Sequence, residues 1–163
     1  MQMAMTRKQG RVVAVCRSER KGTSKVPVES GRLVKDVGLE GDAHAGTPVR
    51  QVSLLCSSSL EKMQAKGPNL RPGDFAENLT IDGCTSADLP VGTRLHFERG
   101  PILEITQVGK ACHKGCAIRE LVGDCIMPRE GLFARVVYGG EVRPGDWFEV
   151  TAGETQSCCP GRQ

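Results

Sequence analysis

Apolar stretches in this chain are short, and turn-forming residues interrupt nearly all of them. Twenty glycines and nine prolines stand among 163 residues. A chain punctuated so often is suited to short strands joined by turns rather than to long helices. Val12–Cys16 is a continuous apolar run, which predicts a strand buried on both faces. Gln51–Cys56 opens with alternation that puts Val52 and Leu54 on one side, and Asn78–Ile81 places Leu79 and Ile81 together. Val91, Thr93, Leu95 and Phe97 alternate with Gly92, Arg94, His96 and Glu98, and Gly100-Pro101 then turns the chain into a return strand, Ile102–Val108, with Leu103 and Ile105 inward. Phe133–Tyr138 predicts another strand, and Gly139-Gly140 after it is a two-residue hairpin signal, because a type I′ turn needs positive φ at both central residues. Arg143-Pro144-Gly145-Asp146 has Pro and Gly where a type II turn wants them, before a last strand at Trp147–Val150.

Helical pattern is scarce. Ser58 and Glu61 have capping-box spacing, Leu60 and Met63 share a face, and Gly67-Pro68 ends the helix. A second short helix is expected from about Cys116 to Val122. The pattern predicts a mainly-β, barrel-like or sandwich single domain with one or two short helices. The ordered body is expected at 11–150, with a frayed N-terminus at 1–10 and a flexible tail at 151–163. Aromatic residues make up only 4%, so Val, Ile and Leu must supply the core.

A net charge of +3 without a basic stripe argues against a nucleic-acid partner. No apolar run approaches the roughly 20 residues of a membrane helix, and Met1–Gly10 lacks the apolar core of a secretory signal. The expectation is a cytoplasmic protein with no membrane partner, whose eight cysteines are reduced thiols. A barrel with a free edge strand allows a homodimer.

Three segments carry chemistry. Gly109-Lys110-Ala111-Cys112-His113-Lys114-Gly115-Cys116 follows a strand end, with Cys125 nine residues on. Lys110, His113 and Lys114 surround Cys112 with positive charge, which favours the thiolate, the form that attacks or binds metal. Zinc on Cys112, His113, Cys116 and Cys125 lacks the Cys-x2-Cys knuckles of the strong signature. Gly38–Gly46 combines small residues with Asp42 and His44, leading to Arg50; it suits close approach to a ligand or a plain inter-strand loop. Arg71–Leu79 rings Phe75 with Asp74, Glu77 and Asn78, as a site or as a solvated turn. Neither a phosphate loop nor Gly-x-Gly-x-x-Gly occurs, which argues against nucleotide enzymes. Cys16 and Cys56 fall within strands as small core residues, and Cys84 has no basic neighbour in the sequence.

Together these segments resemble the MOSC domain family, named for the C-terminal domain of molybdenum cofactor sulfurase. The resemblance rests on Gly38–Gly46, Arg50–Leu55, Pro72–Thr80, Gly109–Cys116, Gly123–Gly131 and Gly139–Asp146, and is nearest to the small stand-alone bacterial members. It implies a β-barrel-like fold that binds the molybdenum cofactor (molybdopterin), with Cys112 as sulfur ligand of the metal, catalytic thiolate or persulfide-bearing sulfur carrier. By the same resemblance Lys21, Arg50, Lys110 and Lys114 are candidates for the anionic groups of the cofactor, His113 stands beside the metal ligand, and Asp42, His44, Asp74 and Asn78 are candidates for the pterin edge. Pyridoxal phosphate belongs to the other half of the sulfurase and is not expected. The implied partners are proteins of molybdenum-cofactor biosynthesis or molybdoenzymes. A carrier or modifier of the cofactor, transferring sulfur, is the leading reading. A molybdenum-dependent reductase of N- or S-oxygenated small molecules is the second; Ala111 stands where the reductases carry arginine or a similar polar residue. A non-enzymatic thiol redox or binding module is the third.

Overall fold

The computed structural model describes residues 8–21, 23–66, 69–109 and 126–152. The long strand β1 (Lys8–Arg17) organises them, because its length allows three partners. Its first part pairs with β11 (Trp147–Thr151), its middle with β6 (Leu79–Asp82) and its end with β2 (Val26–Val28). From β6 the sheet continues through β5 (Val52–Cys56), β9 (Leu132–Tyr138), β8 (Ile102–Val108) and β7 (Arg94–Phe97) back to β11. The β1–β11 pairing closes a seven-stranded barrel, with β2 as an appended edge, and confirms the mainly-β expectation. A small second sheet of β10 (Gly140–Val142), β3 (Gly31–Val34) and β4 (Gly38–Leu39) packs on it through Leu33 and Leu39, both buried in the main core.

All pairings within the barrel are antiparallel except β5 with β6. A parallel pair needs a crossover, and the connection supplies one containing α1 (Ser57–Gln64). Leu60 and Met63 bury one face of α1 against Leu55, Leu70, Phe75, Ile126, Met127 and Phe133. This outer core is separate from the barrel interior, which Leu54, Ile81, Leu95, Leu103, Ile105 and Phe148 fill. Ser59 and Lys62 bind Glu130 at 2.5 and 2.8 Å, tying α1 to α2 (Met127–Glu130).

Several expectations change. Gly139-Gly140 is not a hairpin, because β10 pairs with β3 and not with β9. The glycine at 139 serves close approach instead: a Cβ there would lie 2.6 Å from the Leu33 carbonyl oxygen. The Ser58–Glu61 capping box does not form. The helix starts at Ser57 with Cys56 as its N-cap, two residues before the Ser58 cap would place it, and the Ser57 hydroxyl donates to Asp82 at 2.7 Å. Val13 is 45% exposed, so β1 is not buried on both faces throughout. β1 begins at Lys8 and β11 reaches Thr151, both outside the body expected at 11–150. The turn at Arg143–Asp146 forms as expected, with Gly145 at φ +94° and the Asp146 N–H donating to the Arg143 carbonyl. Strands β2, β3 and β4 and helix α2 are additions to the sequence reading. The helix expected at about Cys116 to Val122 lies outside the described residues.

Candidate functional site

A largely buried polar cluster sits where β1 ends and the Gly38–Gly46 segment crosses it. The Asp42 N–H donates to the Leu39 carbonyl, and the Ala43 N–H to the Ser18 carbonyl at 2.8 Å, which clamps the segment onto the end of β1. Asp42 faces Lys25. The Nζ–Oδ1 distance is 2.8 Å, and both side chains are wholly buried. Lys25 Nζ also contacts His44 Nδ1 at 3.1 Å and Ser18 Oγ at 3.3 Å. Asp42 accepts two backbone N–H groups as well, from Ser18 and His44, each at 3.0 Å.

Burial is the largest single influence on the Asp42 carboxyl and opposes ionisation. The His44 ring close by, the Lys25 ammonium and the two backbone amides outweigh it, so the carboxyl is held well below its usual range. A buried ion pair with every hydrogen bond made is the arrangement that low-dielectric surroundings tolerate. His44 differs from its partners in reaching solvent: its side chain is 28% exposed.

Lys25 is locked to the Pro72–Asn78 segment by its backbone N–H, which donates to the Gly73 carbonyl at 2.8 Å. Gly73 has φ +94°, and a Cβ there would lie 2.2 Å from the Lys25 oxygen, so only glycine permits this approach. Between Ser24–Pro27 and Arg71, Pro72 and Asp74 lies a cavity of about 450 Å³. A second cavity of about 430 Å³, lined by Gln9, Gly10, Arg11, Asp82, Gly83 and Trp147, contains none of the motif residues.

The rest of the Pro72–Asn78 segment turns inward. Phe75 plugs the outer core beside Ile126 and Met127. Asn78 is fully buried, accepts from the Ser53 N–H at 3.0 Å and donates to the Cys16 carbonyl at 3.1 Å. Its amide therefore braces β1 against β5 rather than facing a ligand. Glu77 is buried too, accepting from the Phe75 N–H at 3.2 Å and from Thr80 Oγ1 at 2.8 Å, and burial raises its pKa. Cys16 lies beneath, its thiol pushed up to about 12 by burial and then by Glu77. Asp74 accepts the Arg71 N–H at 2.8 Å and so closes its own turn, at the cavity rim. Lys21 is exposed. Arg50 is exposed as well, its guanidinium 5.9 Å from the centre of the Phe133 ring.

Lys110, Cys112, His113 and Lys114 lie outside the described residues, as do Cys116 and Cys125. The two roots of that segment are fixed. The Gly109 N–H donates to the Gly131 carbonyl at 2.7 Å, and Gly109 at φ +73° lets the Pro128 carbonyl approach where a Cβ would be 2.5 Å away. Ile126 and Met127 share the outer core with Phe75. The chain thus returns from that segment, at Ile126 and Met127, beside Phe75, whose segment also carries Gly73 and Asp74, and Gly73 bonds Lys25. The sequence reading missed Lys25 and Ser18. Their only local signal is a lysine heading the apolar triplet Val26-Pro27-Val28.

The comparisons with known proteins agree with this architecture. The MOSC domain model matches residues 41–149, well over half of the chain. The chain belongs to the MOSC domain family, which is associated with the molybdenum cofactor. The crystal structure of the YuaD protein from Bacillus subtilis superposes with a TM-score of 0.77 at 19% identity, covering 91% of this chain and 99% of that one. YiiM from Geobacillus stearothermophilus gives 0.69 at 18% identity over 87% of this chain and 75% of its own. YiiM from Escherichia coli gives 0.61 at 19% over 90% and 70%. At these identities the likeness is one of fold. No curated protein sequence matches the chain. Among the described residues no helix is long and apolar enough to cross a membrane.

The donor set fits a cofactor that carries a phosphate and a polar pterin. Lys25 is engaged by its three partners, so it stiffens the site rather than meeting a phosphate. Lys21, Arg50 and Arg71 are exposed cations near the same segments, and His44 offers a polar ring edge.

Proposed function

We propose that this protein binds the molybdenum cofactor and carries or modifies it, using the Cys112 sulfur. The supporting observation is convergence. The buried Lys25–Asp42–His44 cluster is joined to the Gly73–Asp74 turn and its cavity by the Lys25–Gly73 hydrogen bond, and Phe75 next to that turn shares the outer core with Ile126 and Met127, where the chain returns from the Cys112 segment. Arg50, Arg71 and Lys21 would meet the anionic end of the cofactor, and His44 and Asp74 its polar edge. Lys110, His113 and Lys114 would favour the Cys112 thiolate, a soft donor suited to a metal–sulfur centre. The cofactor itself would supply the redox-active metal. Sulfur transfer follows if Cys112 carries a persulfide whose outer sulfur is attacked by an acceptor thiolate: the new S–S bond forms on the acceptor, the old S–S bond breaks, and its electron pair stays on Cys112 as the thiolate. The partners would be proteins that make or use the cofactor.

The test is metal and pterin content in protein purified from a host that makes the cofactor. Molybdenum and pterin should be near stoichiometric in the wild type and lost in Cys112→Ser. Equal retention in Cys112→Ser would remove Cys112 from its role, and absence of both from the wild type would remove the cofactor.

A further inference from the structure

We propose that Lys25 is a positioning residue that sets the tautomer of His44, so that the ring turns an N–H, rather than a lone pair, toward an anionic oxygen of the ligand. Only the ligand step rests on the cofactor reading above.

An ammonium has three N–H donors and no lone pair. Lys25 Nζ has three partners at hydrogen-bonding distance, namely Asp42 Oδ1, His44 Nδ1 and Ser18 Oγ, at 2.8, 3.1 and 3.3 Å. Its side chain is wholly buried, so no water replaces any of them. His44 Nδ1 must therefore accept, and a neutral imidazole whose Nδ1 accepts carries its proton on Nε2.

The familiar carboxylate–histidine pair works the other way. There the carboxylate takes Nδ1–H and leaves Nε2 as a base or metal ligand. Asp42 is in place for that pairing but does not make it. Its Oδ2 stands 3.6 Å from His44 Nδ1, and takes the His44 backbone N–H at 3.0 Å instead. Lys25 stands between the two and reverses the polarity of the ring. Nε2 has no hydrogen-bond partner among the described residues, and the ring is partly exposed. The outward group is thus a donor in a partly desolvated place, the group that an anionic oxygen such as phosphate requires.

Long-range ¹H–¹⁵N correlation of the imidazole, recorded on cofactor-free protein at neutral pH, tests the first step. The wild type should show His44 protonated on Nε2, and Lys25→Met should move the proton to Nδ1, where Asp42 captures it. A wild-type ring protonated on Nδ1 overturns the proposal, as does a folded Lys25→Met with Nε2–H unchanged. If Lys25→Met does not fold, the wild-type spectrum decides alone. The ligand step is read from molybdenum content. His44→Gln, which keeps an N–H near the position of Nε2, should retain the wild-type level. His44→Glu should lose about tenfold or more, as expected for one charge-assisted hydrogen bond. Equal retention by the two variants overturns the ligand step. The spectra need no cofactor, so they stand or fall independently of whether the protein binds molybdenum.

Discussion

Two buried polar clusters lie against the Pro72–Asn78 segment, and they are built in opposite ways. Around Asp42 every charge has a counter-charge and one member, His44, reaches solvent. Around Glu77 a carboxyl is sealed among Phe75, Thr80 and Asn78 with no ion pair among the described residues. Their carboxyls respond accordingly. Hydrogen bonds hold Asp42 below its usual range despite burial, whereas burial raises Glu77. The first arrangement fixes a charged scaffold behind an exposed ring, and so suits a site. The second satisfies backbone and hydroxyl donors inside the fold, and so suits a brace. Both clusters belong to segments rich in polar residues, and only their surroundings separate them.

Breaking the first cluster should have the largest effect. Lys25→Met leaves Asp42 buried without its cation, and should cost about 3–5 kcal/mol of unfolding free energy in urea denaturation. Gly73→Ala attacks the joint between the clusters, through the Cβ that would meet the Lys25 carbonyl and through the positive φ. It should cost about 1–3 kcal/mol by the same measurement.

The pH dependence should sharpen the contrast, because the two carboxyls have opposite sign. Asp42 contributes stability that is present above its unfolded pKa, near 3.9, and is lost as pH falls toward its folded value. Glu77 has a folded pKa above its unfolded value of about 4.3, so it binds a proton more readily when folded. Its contribution falls as pH rises through that interval and returns on acidification. Thermal melts from neutral pH to about pH 4.5 should show a stability gain that Glu77→Gln removes. Asp42→Asn should instead flatten the loss below about pH 4. The smallest effect belongs to His44→Ala. Its ring is partly exposed and its backbone contacts survive, so the unfolding free energy should change by less than about 1 kcal/mol.

The strands that line the barrel were legible because their patterning is local. Leu95 and Phe97, and Leu103 and Ile105, alternate with polar neighbours and are buried as the alternation requires. Closure was not legible, since it depends on β1 meeting β11 near the other end of the chain and on β1 being long enough for three partners. Gly139-Gly140 misled because glycine serves both a tight turn and a close approach, and the close contact to Leu33 lies more than a hundred residues away in sequence. The site was legible in part. Asp42 and His44 stand out in a glycine-bracketed loop, but Lys25 looks like any surface lysine until a carboxylate seventeen residues on is brought to 2.8 Å from it. Asn78 shows the converse, since a polar residue beside a turn reads as exposed until its amide is found bridging Ser53 and Cys16.

Hydrogen–deuterium exchange of cofactor-loaded against cofactor-free protein tests the division between site and brace most directly. Loading should slow exchange across residues 42–47, around His44, and leave residues 77–81 unchanged. Slowing confined to 77–81, or no slowing at 42–47 in protein that demonstrably carries molybdenum, would contradict the assignment of the Lys25–Asp42–His44 cluster to the ligand site.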